Sequence, residues 1–272
     1  YRLYIKTANG REYYSDYVPY KPTPEIDSVS WQRKEQGVQI YANTHDPANK
    51  TIYYRWDYDE TWEFHSSYQS FYEYKNGNVV PRDLSVNIFR CWLSNTSSNI
   101  MVGSSAKLQK DVISLSPIRL IPNSSWLLSV KYSINLRQYA LTEEAYQYWQ
   151  NLMKISEQLG SIFVPQPSEI RGNIHSANNA DELVIGFISA GTVTEKRIFI
   201  RNGQVPGWNY RSGCELLVTP AVKDSLEFYF RSGENSPVDI SELEGKPAWS
   251  FSTTTCVDCR RRGSNEMPPF WQ

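Results

Sequence analysis

The sequence predicts a mainly β protein, an immunoglobulin- or fibronectin-like β-sandwich with one inserted amphipathic helix at about residues 142–159. Three observations predict it. Short runs of alternating apolar and polar residues recur along most of the chain, separated by Gly, Asn and Pro. Aromatics make up 14% of the 272 residues, with 19 Tyr and 9 Trp, and these side chains suit half-buried strands. One stretch, residues 140–176, leaves the period of two for a helical period and then breaks at Pro165-Gln166-Pro167.

The first element is a hairpin. Tyr1, Leu3 and Ile5 alternate, Asn9-Gly10 makes a tight turn, and Glu12, Tyr13 and Tyr14 begin the return strand. A strand pair at residue 1 lacks sheet neighbours. Residues 1–22 are therefore expected to be the C-terminal hairpin of a truncated N-terminal domain, and residues 23–272 the β-sandwich domain with its helical insertion. A break near Pro22–Pro24 separates the two, and a strand is expected at 26–31. "GVQIYANT" and "TIYYRWDYDETWEFHS" read as the next strands. In the second, Tyr54, Trp56 and Tyr58 share one face while Arg55, Asp57 and Asp59 share the other. A sandwich face is the expected use of these aromatics, with a sugar-stacking platform as the rival.

"VNIFRCWLS", "NIMVGSSAKL" and "VISLSPIRLIP" follow as short strands. In "WLLSVKYSINLRQYAL", Leu128, Val130, Tyr132, Ile134 and Leu136 lie on one face. That strand feeds directly into the helix. Thr142 can cap it, Glu143 and Glu144 suit its positive end, and Ala145, Tyr148, Trp149, Leu152 and Leu159 keep helical spacing. Gly160 is placed for a C-terminal cap. "GNIHS", "ELVIGFISAG", "EKRIFIRN", "CELLVTP" and "LEFYFRS" then read as strands.

The formal charge of −1 provides no basic footprint, so no nucleic-acid partner is expected. No apolar run reaches the roughly 18–20 residues of a membrane span. His45, His65 and His175 fall in no metal-protease spacing, and no nucleophile motif or phosphate-cradling Gly loop appears. His175 could converge with Asn173 and Asn178, although a structural, hydrogen-bonded role is the simpler expectation. Asp57, Asp59, Glu60 and Glu63 read as solvated charges rather than an acid/base pair. No catalytic residue, cofactor or metal is expected. Cys91, Cys214, Cys256 and Cys259 are candidates for two disulfides, with connectivity open among three pairings. A four-thiolate zinc site and a Cys256-x-x-Cys259 redox pair are the alternatives.

Several blocks carry a resemblance. They are Tyr132-Ser133-Ile134, Gln138-Tyr139, Glu144-Ala145-Tyr146, Trp149, Pro165-Gln166-Pro167 and Gly172-Asn173-Ile174, together with the closing "CVDCRRRGSNEMPPFW". As a set they resemble an uncharacterised domain-of-unknown-function family of Bacteroidota outer-membrane lipoproteins, often encoded beside TonB-dependent transporters of the starch-utilisation type. The opening hairpin, residues 1–22, resembles the C-terminal hairpin of that family's N-terminal immunoglobulin-like domain, so the resemblance spans essentially the whole chain. It implies a cell-surface lipoprotein of the outer membrane, held by a lipid anchor upstream of residue 1. It also implies work beside a TonB-dependent transporter-type barrel and further lipoproteins. That setting makes the Asp-Ser-apolar triplets at Ser28 and Ser225 candidate O-glycosylation sites.

The expected function is therefore non-enzymatic: an accessory or scaffold subunit of an outer-membrane complex. Trp and Tyr dominate interface energy when exposed in patches. The candidate partner contacts are accordingly Tyr148 and Trp149 on the helix, Pro165, Gln166 and Pro167 at the turn, and Trp56 and Trp62 on the aromatic strand. The alternatives are a glycan- or peptide-capturing lipoprotein and an accessory of outer-membrane protein assembly or secretion.

Overall fold

The computed structural model describes residues 1–158 and 171–272. Leu159, the expected Gly160 cap and the Pro165-Gln166-Pro167 turn lie outside the described residues. Strands β1 (Tyr4–Lys6) and β2 (Glu12–Ser15) form the expected hairpin, with Gly10 at φ 82° in its turn. After β3 (Tyr20–Lys21) come β4 (Ile26–Lys34) and β5 (Gly37–His45), an antiparallel pair. The 13-residue β6 (Tyr53–His65) follows. A small hairpin of β7 (Tyr72–Lys75) and β8 (Asn78–Pro81) precedes β9 (Arg90–Thr96) and β10 (Met101–Ser104). Both β9 and β10 pair with one edge of β6, at Asp59–His65 and Tyr53–Trp56 respectively.

β11 (Val112–Pro122) returns to pair with β5. β12 (Lys131–Leu141) runs antiparallel to β6 from Glu63 back to Tyr53. Only Thr142 separates it from α1 (Glu143–Gln158), and the Thr142 hydroxyl accepts the Ala145 N–H at 3.2 Å, as an N-cap should. Beyond it, β13 (Ile174–Ser176) pairs with β2, β14 (Ala190–Gly191) lies parallel to β3, and β15 (Val193–Arg201) pairs with β12. The hairpin of residues 1–22 is thus hydrogen-bonded to chain that follows the helix. The Gly172-Asn173-Ile174 block explains part of this docking. A Cβ on Gly172 would lie 1.5 Å from the Gly186 carbonyl oxygen, so only glycine permits the approach. The Asn173 amide then bonds both the N–H and the C=O of Ile188, at 2.8 and 2.9 Å.

Two layers make the sandwich. One is the five-stranded sheet β10/β9–β6–β12–β15, the other the three-stranded sheet β11–β5–β4. Their inner faces share one core: Val38, Ile40 and Ala42 of β5 and Ile121 of β11 meet Tyr54, Trp56, Tyr58, Trp62 and Phe64 of β6 and Tyr132, Ile134 and Leu136 of β12. A carboxylate is also inside. Glu60, 2% exposed, accepts the Tyr132 hydroxyl at 2.7 Å and a two-nitrogen contact from Arg119 at 3.2 and 3.3 Å, which offsets its loss of water.

The C-terminal unit comprises β16 (Leu217–Pro220), α2 (Lys223–Phe230), β17 (Asn235–Leu243), β18 (Lys246–Thr253), the single-turn α3 (Thr254–Val257) and the tail that follows it across β9. Its strands order as β16–β18–β17. Here the structure corrects an expectation, because "LEFYFRS" is helical rather than extended. Leu226 and Phe230 are four residues apart and both bury against Phe251, while Asp224 sits in the favourable first turn. Packing against β18 outweighs the strand preference of Phe and Tyr. "ELVIGFISAG" likewise yields only the two residues of β14, with Gly186 at φ 138° interrupting it.

All four cysteines are oxidised, as Cys91–Cys259 and Cys214–Cys256. Cys256 and Cys259 belong to different bonds, so the zinc and redox-pair alternatives do not apply. The first bridge spans 168 residues and fastens β9 to the C-terminal unit.

Candidate functional site: the outer face of the central sheet

Strand alternation fixes what β6 presents outward. Even-numbered residues 54–64 enter the core, so Arg55, Asp57, Asp59, Thr61 and Glu63 point away from it. The β12 register sets Tyr139, Arg137, Asn135, Ser133 and Lys131 opposite them in that order. β9 adds Trp92, Ser94 and Thr96, and β15 adds Glu195, Arg197 and Phe199. The result is a polar ladder across four strands.

At its centre, the Arg137 guanidinium donates to both Asp57 and Asp59. Burial disfavours the charge on Asp59, but hydrogen bonds from Arg137 and Thr96 prevail and lower its pKa. The hydrogen bond to Asp59 leads the causes that hold Arg137 protonated well above its ordinary range.

Toward α1, Arg55 lies between two rings, 4.5 Å from the Tyr139 centroid and 4.6 Å from that of Trp149, and donates to Asp57 at 3.2 Å. These residues line a cavity of about 300 Å³ with Phe187, Ser189 and Thr192. At the opposite end the tail crosses the sheet. The Trp271 indole N–H donates to Glu63 at 3.0 Å, and the ring meets Phe199 and Trp92 edge-on at 5.4 and 6.5 Å. Burial alone would raise the Glu63 pKa, but hydrogen bonds from His65, Arg90 and Trp271 outweigh it and hold the carboxyl at about 2. Between this cluster and the centre, Asp59, Thr61, Ser94, Asn95, Thr96, Arg197 and Phe270 line a groove of about 430 Å³.

The expected contact residues fall differently. Trp56 and Trp62 are 1% and 5% exposed, inside the core, so neither is a partner contact; the aromatic face of β6 is the sandwich interior. Tyr148 is buried too, 5.1 Å from Phe187, and Trp149 is half-buried over Arg55. The exposed face of α1 is polar instead, with Glu143, Glu144, Gln147, Asn151 and Lys154. Ser28 is exposed on β4, and Ser225 is half-buried on α2. His175 and Asn173 do not converge: His175 meets Asp16 at 3.0 Å on the surface, while Asn173 is turned into the structure. A shallow hollow of about 90 Å³ does hold His175 and Glu182 together, but Tyr13 and Arg11 engage that carboxylate.

Sequence reasoning noted Arg55, Asp57 and Asp59 but missed Arg137, Arg197 and Phe270. The odd-numbered polar residues of 131–139 were a usable signal for Arg137. Nothing local marks Phe270, which arrives from the far end of the chain.

The family model for the domain of unknown function DUF4249 matches residues 1–197. The chain belongs to the DUF4249 family. No curated protein and no solved structure matches it. The DUF4249 match runs from the N-terminal hairpin through both layers of the sandwich and α1 into β15. Arg197 is its last matched residue. The C-terminal unit lies beyond the match, joined to the DUF4249 region by Cys91–Cys259.

Proposed function

We propose that this DUF4249 chain is a non-enzymatic accessory subunit of an outer-membrane complex, lipid-anchored upstream of residue 1 and exposed at the cell surface. Its partner is a TonB-dependent transporter-type barrel. The observation that carries the proposal is the design of α1. Its aromatic side is packed on the sheet by the Tyr53–Tyr146 stack at 4.7 Å and by Trp149 over Arg55, so a polar face is held outward. Rigid elements make better docking surfaces because little ordering entropy remains to be lost. The resemblance to outer-membrane lipoproteins supplies the compartment, and two disulfides fit an exported protein.

Purification in mild detergent, with lysine cross-linking and mass spectrometry, tests the reading. The expected result is a barrel recovered in equal amounts and cross-linked through the exposed Lys154. Lys131 should stay silent because it is buried beneath the tail. Recovery of the chain alone ends the scaffold reading. The same sample tests O-glycosylation at Ser28 or Ser225: an intact mass equal to the bare polypeptide excludes it.

A second reading, capture of a ligand by the subunit itself, is favoured by the polar groove beside Arg197. The buried β6 aromatics cannot provide a stacking platform, and the charged outer face of the same strand carries the groove.

A further inference from the structure

The geometry points to a subsite, in the groove beside Arg197, for a carboxylate-bearing and hydroxyl-rich ligand, that is, a uronate-type acidic sugar. The inference rests on the capture reading and specifies its ligand class. Two observations converge on it.

The first is the state of Arg197. Its guanidinium stacks 3.8 Å from the Phe270 ring centroid and donates one side-chain hydrogen bond, to Ser133 Oγ at 3.1 Å. A guanidinium carries five N–H donors in a planar fork that matches a carboxylate. Among the described residues no carboxylate forms an ion pair with it. Asp59 and Glu195 act on it from a distance, yet both are engaged: Asp59 by Arg137 and Thr96, Glu195 by the Asn135 amide at 2.7 Å. Burial meanwhile works against its charge, so a counter-anion placed here would be stabilised.

The second observation is the lining. The exposed Ser94 shares one hydrogen bond with the buried Thr61 at 2.8 Å, leaving the Ser94 hydroxyl further capacity, and the Thr96 hydroxyl donates to Asp59 at 2.8 Å. A row of hydroxyls beside a carboxylate and an arginine offers donors and acceptors in the mixture that sugar hydroxyls need. Phe270, 37% exposed, adds an apolar edge for a pyranose ring.

Calorimetric titration of the full chain with an oligogalacturonate tetramer, a neutral maltotetraose and acetate tests this. The expected result is saturable binding of the oligouronate, weakening with added salt, with maltotetraose about tenfold weaker or worse. Arg197→Gln should lose about tenfold or more in affinity, because a charge-assisted hydrogen-bond pair is removed. Phe270→Ala and Arg197→Lys should each lose several-fold, the latter because a point charge cannot replace the fork. Near-ultraviolet circular dichroism checks folding, and if Arg197→Gln fails to fold the lysine variant carries the test. No binding of the oligouronate, or equal binding by wild type and the Arg197 variant, overturns the inference. Maltotetraose bound as tightly as the oligouronate, and weakened by Ser94→Ala alone, would sink the acidic class while leaving the capture reading standing.

Discussion

The two faces of β6 are built from the same thirteen residues and do opposite work. The inner face places Tyr54, Trp56, Tyr58, Trp62 and Phe64 in a shared core with the second sheet. The outer face places Arg55, Asp57, Asp59, Thr61 and Glu63 in a hydrogen-bonded polar ladder. A one-residue slip in register would exchange the two and bury three carboxylates, so the contrast itself holds the strand in place. Aromatic density is therefore a poor guide to a binding surface here. The rings that looked available are the interior, and the chemistry available to a ligand sits on the residues between them.

The largest test of this contrast is Trp56→Ala. Trp56 is fully buried, stacks on Tyr54 with centroids 5.8 Å apart, and donates to Gln138 at 2.8 Å. Its loss should cost about 3–5 kcal/mol in a guanidinium denaturation series, and a cost under about 1.5 kcal/mol would mean that the inner face is not the core. Glu63 is the instructive exception, an outer-face residue roofed by Trp271. Its folded pKa of about 2 lies below the ordinary 4.5, so its stabilising contribution is complete above pH 4.5 and lost as pH falls toward 2. Glu63→Gln should flatten that part of the wild-type profile in urea melts between neutral and acid pH. An unchanged profile would show that the tail does not seal this carboxylate.

Smaller effects sharpen the boundary. Thr142→Ala removes the α1 cap and should cost about 1 kcal/mol by thermal melting, with loss of helical circular dichroism confined to one segment. Arg137→Met, on the part-exposed outer face, should cost less than about 1 kcal/mol. A larger loss would place the ladder among the determinants of folding rather than of binding.

Much of the architecture was readable in advance, because alternation on β6 and β12 and the switch of period at Thr142 are local properties. The site was less readable. Arg137 meets Asp57 and Asp59 across about 80 residues of intervening chain, and a register set by long-range pairing leaves no local trace. The error at Leu226–Phe230 has the same origin, since Phe251 decides between helix and strand from a distance. Four cysteines foretold oxidation but not partners, and only the fold distinguishes Cys256 from Cys259.

The bridge between Cys91 and Cys259 bears on quality control. Its two halves are separated by 168 residues, so a copy that stops short of residue 259, by premature termination or by proteolysis, keeps Cys91 as a lone thiol. That thiol belongs to the core, and a chain lacking the C-terminal unit that packs over β9 would expose it to exchange with other disulfides. Incomplete molecules would thereby become chemically distinguishable from finished ones, and a thiol-reactive mass tag would count them.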